Sequence, residues 1–337
     1  MACKEWKNAL LGIVWLVGAG SLGIPSCGAT EQLRIGLQYG IYNIPFHVAR
    51  HEGIFERQLA AHGQAGVKVG LQSFSGPPAV TDALLTGQVD MAVIGPPGLI
   101  IAWSKSRGTA SEIIGVAGVS TMLTSLVALK PELRTLRDIG ADDRIAVAAT
   151  TSVNAYVLRI AAEKQFGNGR VFDQRFVAMP NPDAVSALLN RTEVTAISTL
   201  PPHADFALRQ PSAHRVLSSL EVFGGPSTSI VLATARRYGE ANPKIVQAAI
   251  AALDEANALI VREPRRAADI YVGAEPSKVF DAAFVAALLP DGEHDFTTGV
   301  TGIMTYVDYM ARNGQIKNRP ADWKDLFFPH IHGRTGS

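Results

Sequence analysis

Three glycines near the N-terminus have the spacing of a dinucleotide-binding motif. Gly18, Gly20 and Gly23 form G-x-G-x-x-G within the segment VGAGSLG. In dinucleotide-binding proteins this motif follows a strand, opens a helix and precedes an acid about 20 residues later. An apolar run fits the strand, but the segment IPSCG stands where the helix should begin, and positions 38–43 contain no acid. The context therefore argues against a nucleotide site.

The same segment has the composition of an export signal. Lys4 and Lys7 precede an uncharged apolar run from Ala9 to Ile24, and small residues follow it. We predict that residues 1–29 are a signal peptide, with an uncleaved membrane anchor as the alternative. The segment IPSC also resembles a lipobox, in which Cys27 would carry a lipid.

Patterns that could indicate catalysis are weak. His47, His51 and Glu52 lie in HVARHE, which lacks the HExxH order of a zinc protease. The sequence has neither a G-x-S-x-G nucleophile elbow nor a G-x-x-x-x-G-K phosphate loop. The two cysteines, Cys3 and Cys27, lie within the predicted signal, which excludes a disulfide or a cysteine-bound metal in the mature chain. We predict a protein that is not an enzyme and needs no metal or other cofactor.

The charge balance narrows the class of partner. The 337 residues carry 31 Lys and Arg against 30 Asp and Glu, a formal net charge of +1. Such a chain has no strong field to attract nucleic acid or an anionic membrane. The part after the predicted signal is long enough for two lobes with separate cores. We predict a monomer that binds a small molecule and no nucleic acid.

Short apolar runs alternate with helical patterns along the first hundred residues. Strands are predicted at Leu33–Gln38, Val67–Gln72 and Met91–Ile94. Helices are predicted between them, at Phe46–Leu59 and before Gly87. This alternation predicts an α/β fold with a mostly parallel sheet.

An internal repeat extends this prediction. The segment AVTDALLTGQVDMAVIGPP, from Ala79 to Pro97, recurs 105 residues later as AVSALLNRTEVTAISTLPP, from Ala184 to Pro202. Each copy reads as a helix, a turn, a strand and a proline pair. A duplication at this separation predicts two lobes of one architecture, because solenoid repeats are shorter.

We place the lobe boundaries where the order of predicted strands indicates that the chain crosses to a second lobe and returns. Residues 30–123 and 226–337 form a discontinuous first lobe, and residues 124–225 form the second. A strand at Leu126–Leu129 enters the second lobe, and a strand at Ser229–Ala233 returns to the first, before a helix from Pro243 to Val261. Two connections make a hinge, and the cleft between the lobes is the expected ligand site.

Loops at the carboxyl ends of strands line the ligand site in open α/β sheets. The candidate ligand-binding residues are Tyr39, Tyr42, Asn43, Phe46, Ser75, Gly76, Pro77, Pro96, Pro97, Thr121, Thr150, Thr151, Ser152, Val153, Pro201 and Pro202. The hydroxyl-rich helix starts in each lobe favour an anion, and simple N-capping is the alternative for each serine. The aromatic residues and prolines would form apolar walls. Since these loops contain no acid, a buried ligand ammonium would lack a partner unless another segment supplies one.

Longer segments resemble a known family. The run SGPPAVTDALLTGQVDMAVIGPP, preceded by RIGLQYG and HEGIFERQL, resembles the periplasmic substrate-binding proteins for nitrate, aliphatic sulfonates and taurine. That superfamily also binds thiamine pyrimidine precursors. The resemblance implies a type II periplasmic-binding-protein fold with two lobes, a hinge and an inter-lobe cleft. It also implies a periplasmic location and delivery of a solute to an ABC permease in the inner membrane with its ATPase.

Two departures from the family pattern bear on the ligand. Many relatives carry an acid beside the prolines at Gly95-Pro96-Pro97, and a Trp-Asp-Pro where this chain has Thr199-Leu200-Pro201-Pro202. These differences argue against taurine and favour a less polar, aromatic organic anion with a sulfonate-like or carboxylate-like group. Alternatives are a thiamine-pyrimidine precursor or other heteroaromatic ligand, a ligand-sensing subunit of a membrane receptor, and an enzyme of thiamine-pyrimidine synthesis.

Overall fold

A computed structural model describes residues 32–289 and 294–337. The predicted signal peptide, Cys27 and the glycine motif lie outside these residues. Within the described ranges, every helix is too short or too polar to cross a membrane.

The described residues form ten strands and thirteen helices. The first group is β1 (Gln32–Gln38), α1 (Ile44–His51), α2 (Ile54–Ala61), β2 (Lys68–Phe74), α3 (Pro77–Leu85), β3 (Met91–Ile94), α4 (Pro96–Ser106) and β4 (Ile113–Ser120). The second is β5 (Ser125–Ala128), β6 (Ile145–Val147), α5 (Val153–Phe166), β7 (Phe176–Ala178), α6 (Asn181–Leu189), β8 (Ala196–Thr199), α7 (His203–Leu208), β9 (His214–Ser218) and α8 (Ser219–Phe223). The last is β10 (Ile230–Ala235), α9 (Arg236–Ala241), α10 (Pro243–Arg262), α11 (Pro264–Ala274), α12 (Ala282–Leu288) and α13 (Ile303–Arg312).

The strands form two five-stranded sheets of matching topology. The orders are β2-β1-β3-β10-β4 and β7-β6-β8-β5-β9. In each sheet the first three strands are parallel, and the fourth runs antiparallel to both of its neighbours. The duplication expected from the sequence is therefore a duplication of the sheet, with β3 and β8 as equivalent strands. The exact lobe boundaries stay a prediction.

One local prediction differs from the structure for an identifiable reason. The expected helix Phe46–Leu59 is two helices, α1 and α2, because Gly53 between them has a left-handed φ of 65° that breaks the helix. The expected helix from Pro243 to Val261 is α10, and Pro264 follows its end and opens α11 at a first-turn position.

Apolar burial holds the helices against the sheets. Strands β3, β4, β5, β6 and β8 are buried along their whole length, as expected for strands with helices on both faces. Helix α10 buries one face, including Ile245, Leu253 and Ile260, against α1 and α2. These layers fix where the loops at the strand ends lie.

Two chain segments connect the sheets, and serine hydroxyls bind them together. The first runs from β4 to β5 and the second from α8 to β10. Ser229 Oγ accepts a hydrogen bond from Met122 N–H (2.9 Å) and lies 3.0 Å from Ser120 Oγ. Ser219 Oγ accepts from Thr124 N–H (3.1 Å). The two segments therefore form one paired hinge.

Removal of one hinge hydroxyl should destabilise the protein. In Ser229→Ala the buried Met122 N–H loses its partner, so we expect a loss of about 1–3 kcal/mol in the free energy of unfolding. Urea unfolding followed by circular dichroism measures it. Ser212→Ala, at an exposed position, is the control and should change stability by less than about 0.5 kcal/mol. Equal effects in the two variants would contradict the role of Ser229.

His203 should make stability depend on pH. It begins α7, is buried, and packs edge-on against Phe280 with ring centroids 5.7 Å apart. Burial disfavours the charged imidazole and lowers the pKa of His203 to about 4. The unfolded chain takes up this proton near pH 6.5 and the folded chain does not, so stability falls as the pH decreases from about 6.5 to about 4.

Replacement of this ring by phenylalanine should remove that pH dependence. Between pH 7 and pH 5, wild type should lose about 2 kcal/mol more unfolding free energy than His203→Phe. Urea unfolding of both proteins at the two pH values gives the difference and cancels the contributions of the other histidines. Identical losses in the two proteins would show that His203 titrates normally.

Candidate ligand-binding cleft

A cleft of about 1020 Å³, partly open to solvent, lies between the two sheets. The ends of four central strands meet there, since Gln38 and Gly95 line it from the first sheet and Ala148 and Leu200 from the second. A smaller pocket of about 590 Å³ adjoins it and shares Gln38, Tyr42, Pro77, Ala148 and Asn181. The cleft is therefore at the carboxyl ends of the parallel strands, as the fold rule requires.

Half of the sixteen candidate residues line this cleft or the adjoining pocket. They are Tyr39, Tyr42, Ser75, Gly76, Pro77, Thr151, Ser152 and Val153. The other eight, which lie outside the lining, are Asn43, Phe46, Pro96, Pro97, Thr121, Thr150, Pro201 and Pro202.

The residues outside the lining have structural contacts. Phe46 is buried in the core beside Phe55. Thr121 lies in the hinge, where its N–H donates to Asp295 O (2.9 Å). Thr150 O accepts from Arg159 Nη1 (2.6 Å). The proline pairs 96–97 and 201–202 are buried, whereas their neighbours Gly95, Gly98 and Leu200 line the cleft.

The helix starts at the cleft differ in the donors that they offer. Helices α3 and α4 each begin with two prolines, which have no N–H. Helix α5 begins without proline, and its N-cap Ser152 accepts a hydrogen bond from Ala155 N–H (3.4 Å). In the described ranges the N–H groups of Val153 and Asn154 have no protein partner. The second lobe is therefore the main source of backbone donors.

Two charged residues at the cleft are absent from the sequence-based candidates. Asp82 on α3 and Lys105 on α4 both line it and are exposed, and neither forms an ion pair within the described residues. Both lie inside helices, where a search restricted to strand-end loops cannot find them. The argument against a ligand ammonium is consequently weakened, because Asp82 supplies a carboxylate from another segment.

Side-chain amides are a further feature that the sequence search missed. Gln38 Nε2 donates to Val93 O (2.9 Å), and Asn154 Nδ2 donates to Ser198 O (2.6 Å). Both amides line the cleft. Their spacing in the sequence gives no signal, because each depends on a strand that is distant along the chain.

A buried carboxylate supports the first cleft loop from behind. Glu275, at the end of α11 and 8% exposed, accepts hydrogen bonds from Gly40 N–H (2.9 Å) and Asn43 Nδ2 (3.2 Å). Its Oε1 also lies 2.9 Å from His47 Nε2. Burial, and secondarily the Glu275 carboxylate, raise the pKa of Tyr42 far above its usual value. Tyr42 is thus a neutral donor, and its hydroxyl binds Tyr39 O (2.9 Å).

Gly95 of the first lobe lies close to Val153 of the second lobe at the cleft. A Cβ atom on Gly95 would lie 2.7 Å from Val153 Cγ2, so any larger residue at position 95 would push against the opposite lobe. Among residues 32–289 and 294–337, no group of three or more His, Cys, Asp and Glu side chains could hold a metal ion.

Solved structures of similar fold cover nearly the whole described chain. The alkanesulfonate-binding protein from Xanthomonas axonopodis pv. citri, bound to MOPS, is 20% identical with a TM-score of 0.68, covering 86% of this chain and 95% of that one. The periplasmic aliphatic sulphonate-binding protein from Escherichia coli is 20% identical with a TM-score of 0.67, covering 90% and 99%. The periplasmic nitrate-binding protein from Synechocystis is 15% identical with a TM-score of 0.66, covering 91% and 86%. These likenesses show the periplasmic-binding-protein fold.

The sequence comparisons identify the family. No curated protein matches the chain. A family model described as the NMT1-like family matches residues 28–271, which is most of the sequence and includes both sheets. The chain therefore belongs to the NMT1-like family.

Proposed function

We propose that this protein is the solute-binding component of an ABC importer and that it captures a small organic anion in the cleft between its lobes. The observation that carries the proposal is the cleft itself, which residues of both sheets line at the carboxyl ends of their strands. Structures of similar fold include proteins that bind sulfonates and nitrate. Their roles support a periplasmic, non-enzymatic protein that works with a permease and an ATPase.

The second lobe supplies most of the anion-binding groups in this proposal. The free N–H groups of Val153 and Asn154 lie at the positive end of the α5 dipole, where an anion is favoured. Thr151 adds a hydroxyl, and Lys105 adds a positive charge from the first lobe. Tyr42 and Pro77 form apolar walls for the body of the ligand.

Capture requires contacts from both lobes at once. One helix start contributes about 0.3–1 kcal/mol to anion binding, whereas micromolar affinity corresponds to about 8 kcal/mol. Direct hydrogen bonds and apolar burial must supply the difference. The lining residues belong to both lobes, so the ligand makes more contacts in the closed form than in the open form. Ligand binding therefore shifts the hinge toward closure.

A ligand screen combined with scattering tests this function. Sulfonates, carboxylates and heteroaromatic acids are added to the purified protein, and thermal stability is measured. A true ligand at 100 times its dissociation constant should add about 2.7 kcal/mol of stability, and it should reduce the radius of gyration in small-angle X-ray scattering. Stabilisation by cations alone, or binding without compaction, would contradict anion capture by closure.

The backbone donor at the start of α5 can be removed by one substitution. Proline is tolerated at the first helical position, and the preceding Ser152 (φ −78°, ψ 161°) already has the conformation that precedes proline. Val153→Pro should therefore fold normally but bind the strongest anion of the screen about tenfold more weakly than Val153→Ala. Val153→Ala is the matched control, since it loses the side chain and keeps the N–H.

Calorimetric titration of both variants gives the two affinities, and urea unfolding checks that both are folded. Equal affinities would show that the α5 start does not bind the anion.

A further inference from the structure

We infer that the ligand carries hydrogen-bond donors on two sides and presents them to Gln38 Oε1 in the first lobe and Asn154 Oδ1 in the second. This inference rests on the proposed solute-binding function and narrows its ligand class. It excludes nitrate and plain alkanesulfonates, which have acceptors only, and assigns an organic acid that also bears an amide, amine or hydroxyl group.

The NH₂ group of each amide is fixed by the protein. Gln38 Nε2 donates to Val93 O on β3 (2.9 Å), and Asn154 Nδ2 donates to Ser198 O on β8 (2.6 Å). A backbone carbonyl only accepts hydrogen bonds, so the NH₂ group and not the oxygen must face it. Rotation of either amide would turn its oxygen toward a carbonyl oxygen and lose this hydrogen bond, which is costly.

The two acceptor carbonyls occupy equivalent places in the duplicated sheets. Val93 and Ser198 are 105 residues apart, which is the offset of the sequence repeat. The strand pairing supports this equivalence. Ala92, which precedes Val93, pairs with Gly36 of β1, and Ile197, which precedes Ser198, pairs with Ala146 of β6. Each lobe therefore fixes one amide at the same position of its third strand.

The oxygen atoms of these amides are available to water or ligand. Gln38 is 6% exposed and Asn154 is 2% exposed, and both line the cleft. Neither oxygen accepts a hydrogen bond from the described residues, and neither belongs to the fully enclosed polar atoms that lack a partner. The remaining exposure of each side chain therefore includes its oxygen, which is left to bind water or ligand.

A ligand that excludes this water must replace its donors. An acceptor that loses its water and gains no partner costs about 1–3 kcal/mol. Asp82, a third acceptor on the same cleft, reinforces the preference for donors. The donors of α5 and Lys105 then bind the acidic group of the same molecule.

Matched ligands distinguish this inference from the general function. Binding to the mature protein is measured by calorimetry with two pairs of compounds. Isethionate is compared with ethanesulfonate, and succinamate is compared with its N,N-dimethyl amide. Within each pair the acidic group is unchanged, whereas the donor-free member lacks the hydroxyl group or carries methyl groups in place of the amide hydrogens. We expect the donor-bearing member of at least one pair to bind roughly tenfold more tightly.

Two variants locate the effect. In Gln38→Met and Asn154→Leu the ratio of the affinities for the two members of that pair should fall to about threefold or less. Asn242→Leu is the control, because Asn242 Nδ2 also donates to a backbone carbonyl (Tyr238 O, 2.9 Å) but lies outside the cleft lining. If a cleft variant fails to fold, the ligand pairs measured on wild type still decide the question.

The outcomes separate the two proposals. Equal binding within every pair, or tighter binding of the donor-free member, overturns the donor requirement and leaves solute capture in place. Lack of binding by all four compounds and by every anion of the broader screen overturns the proposed function as well.

Discussion

The hydrogen bonds between the two connecting segments constrain everything that the cleft can do. Ser229 and Ser219 each bind the backbone of the opposite segment, so the lobes cannot move independently about two separate joints. The paired segments form a single axis. Rotation about this axis would change the separation of the lobes, and therefore the contacts that a solute makes with both of them.

The duplicated sheets have diverged in the chemistry of their loops. Proline pairs at the starts of α3 and α4 leave the first lobe with fewer backbone donors, and this lobe contributes rigid walls, an amide oxygen, a carboxylate and the Lys105 ammonium to the cleft. The start of α5 retains its N–H groups, so the second lobe offers backbone donors beside the Asn154 side-chain oxygen. An asymmetric solute with an acidic end and a donor-bearing end matches this arrangement better than a symmetric anion does. Glu275 supports the first-lobe loop from outside the cleft lining.

Local patterns predicted the sheets well and the site only in part. The repeat at Ala79 and Ala184 anticipated two equivalent sheets because helix and strand periodicities are local signals. The helix break at Gly53 was missed, since an isolated glycine inside a helical pattern is ambiguous. Glu275 reaches Gly40 across 235 residues, and no pattern along the chain encodes such a contact. Asp82 was missed because its helix, and not a strand-end loop, brings it to the cleft.

The strand order also dictates when each lobe can be completed. The second sheet uses only residues 125–218, a continuous stretch, whereas the first needs β10 inserted between β3 and β4. Until residue 235 has been synthesised, β3 and β4 have no shared neighbour, and each exposes an apolar edge that can pair with other chains. The second lobe can therefore fold as soon as its own residues are available, while the first must wait. A chaperone that shields nascent chains would protect the unfinished first sheet during this interval.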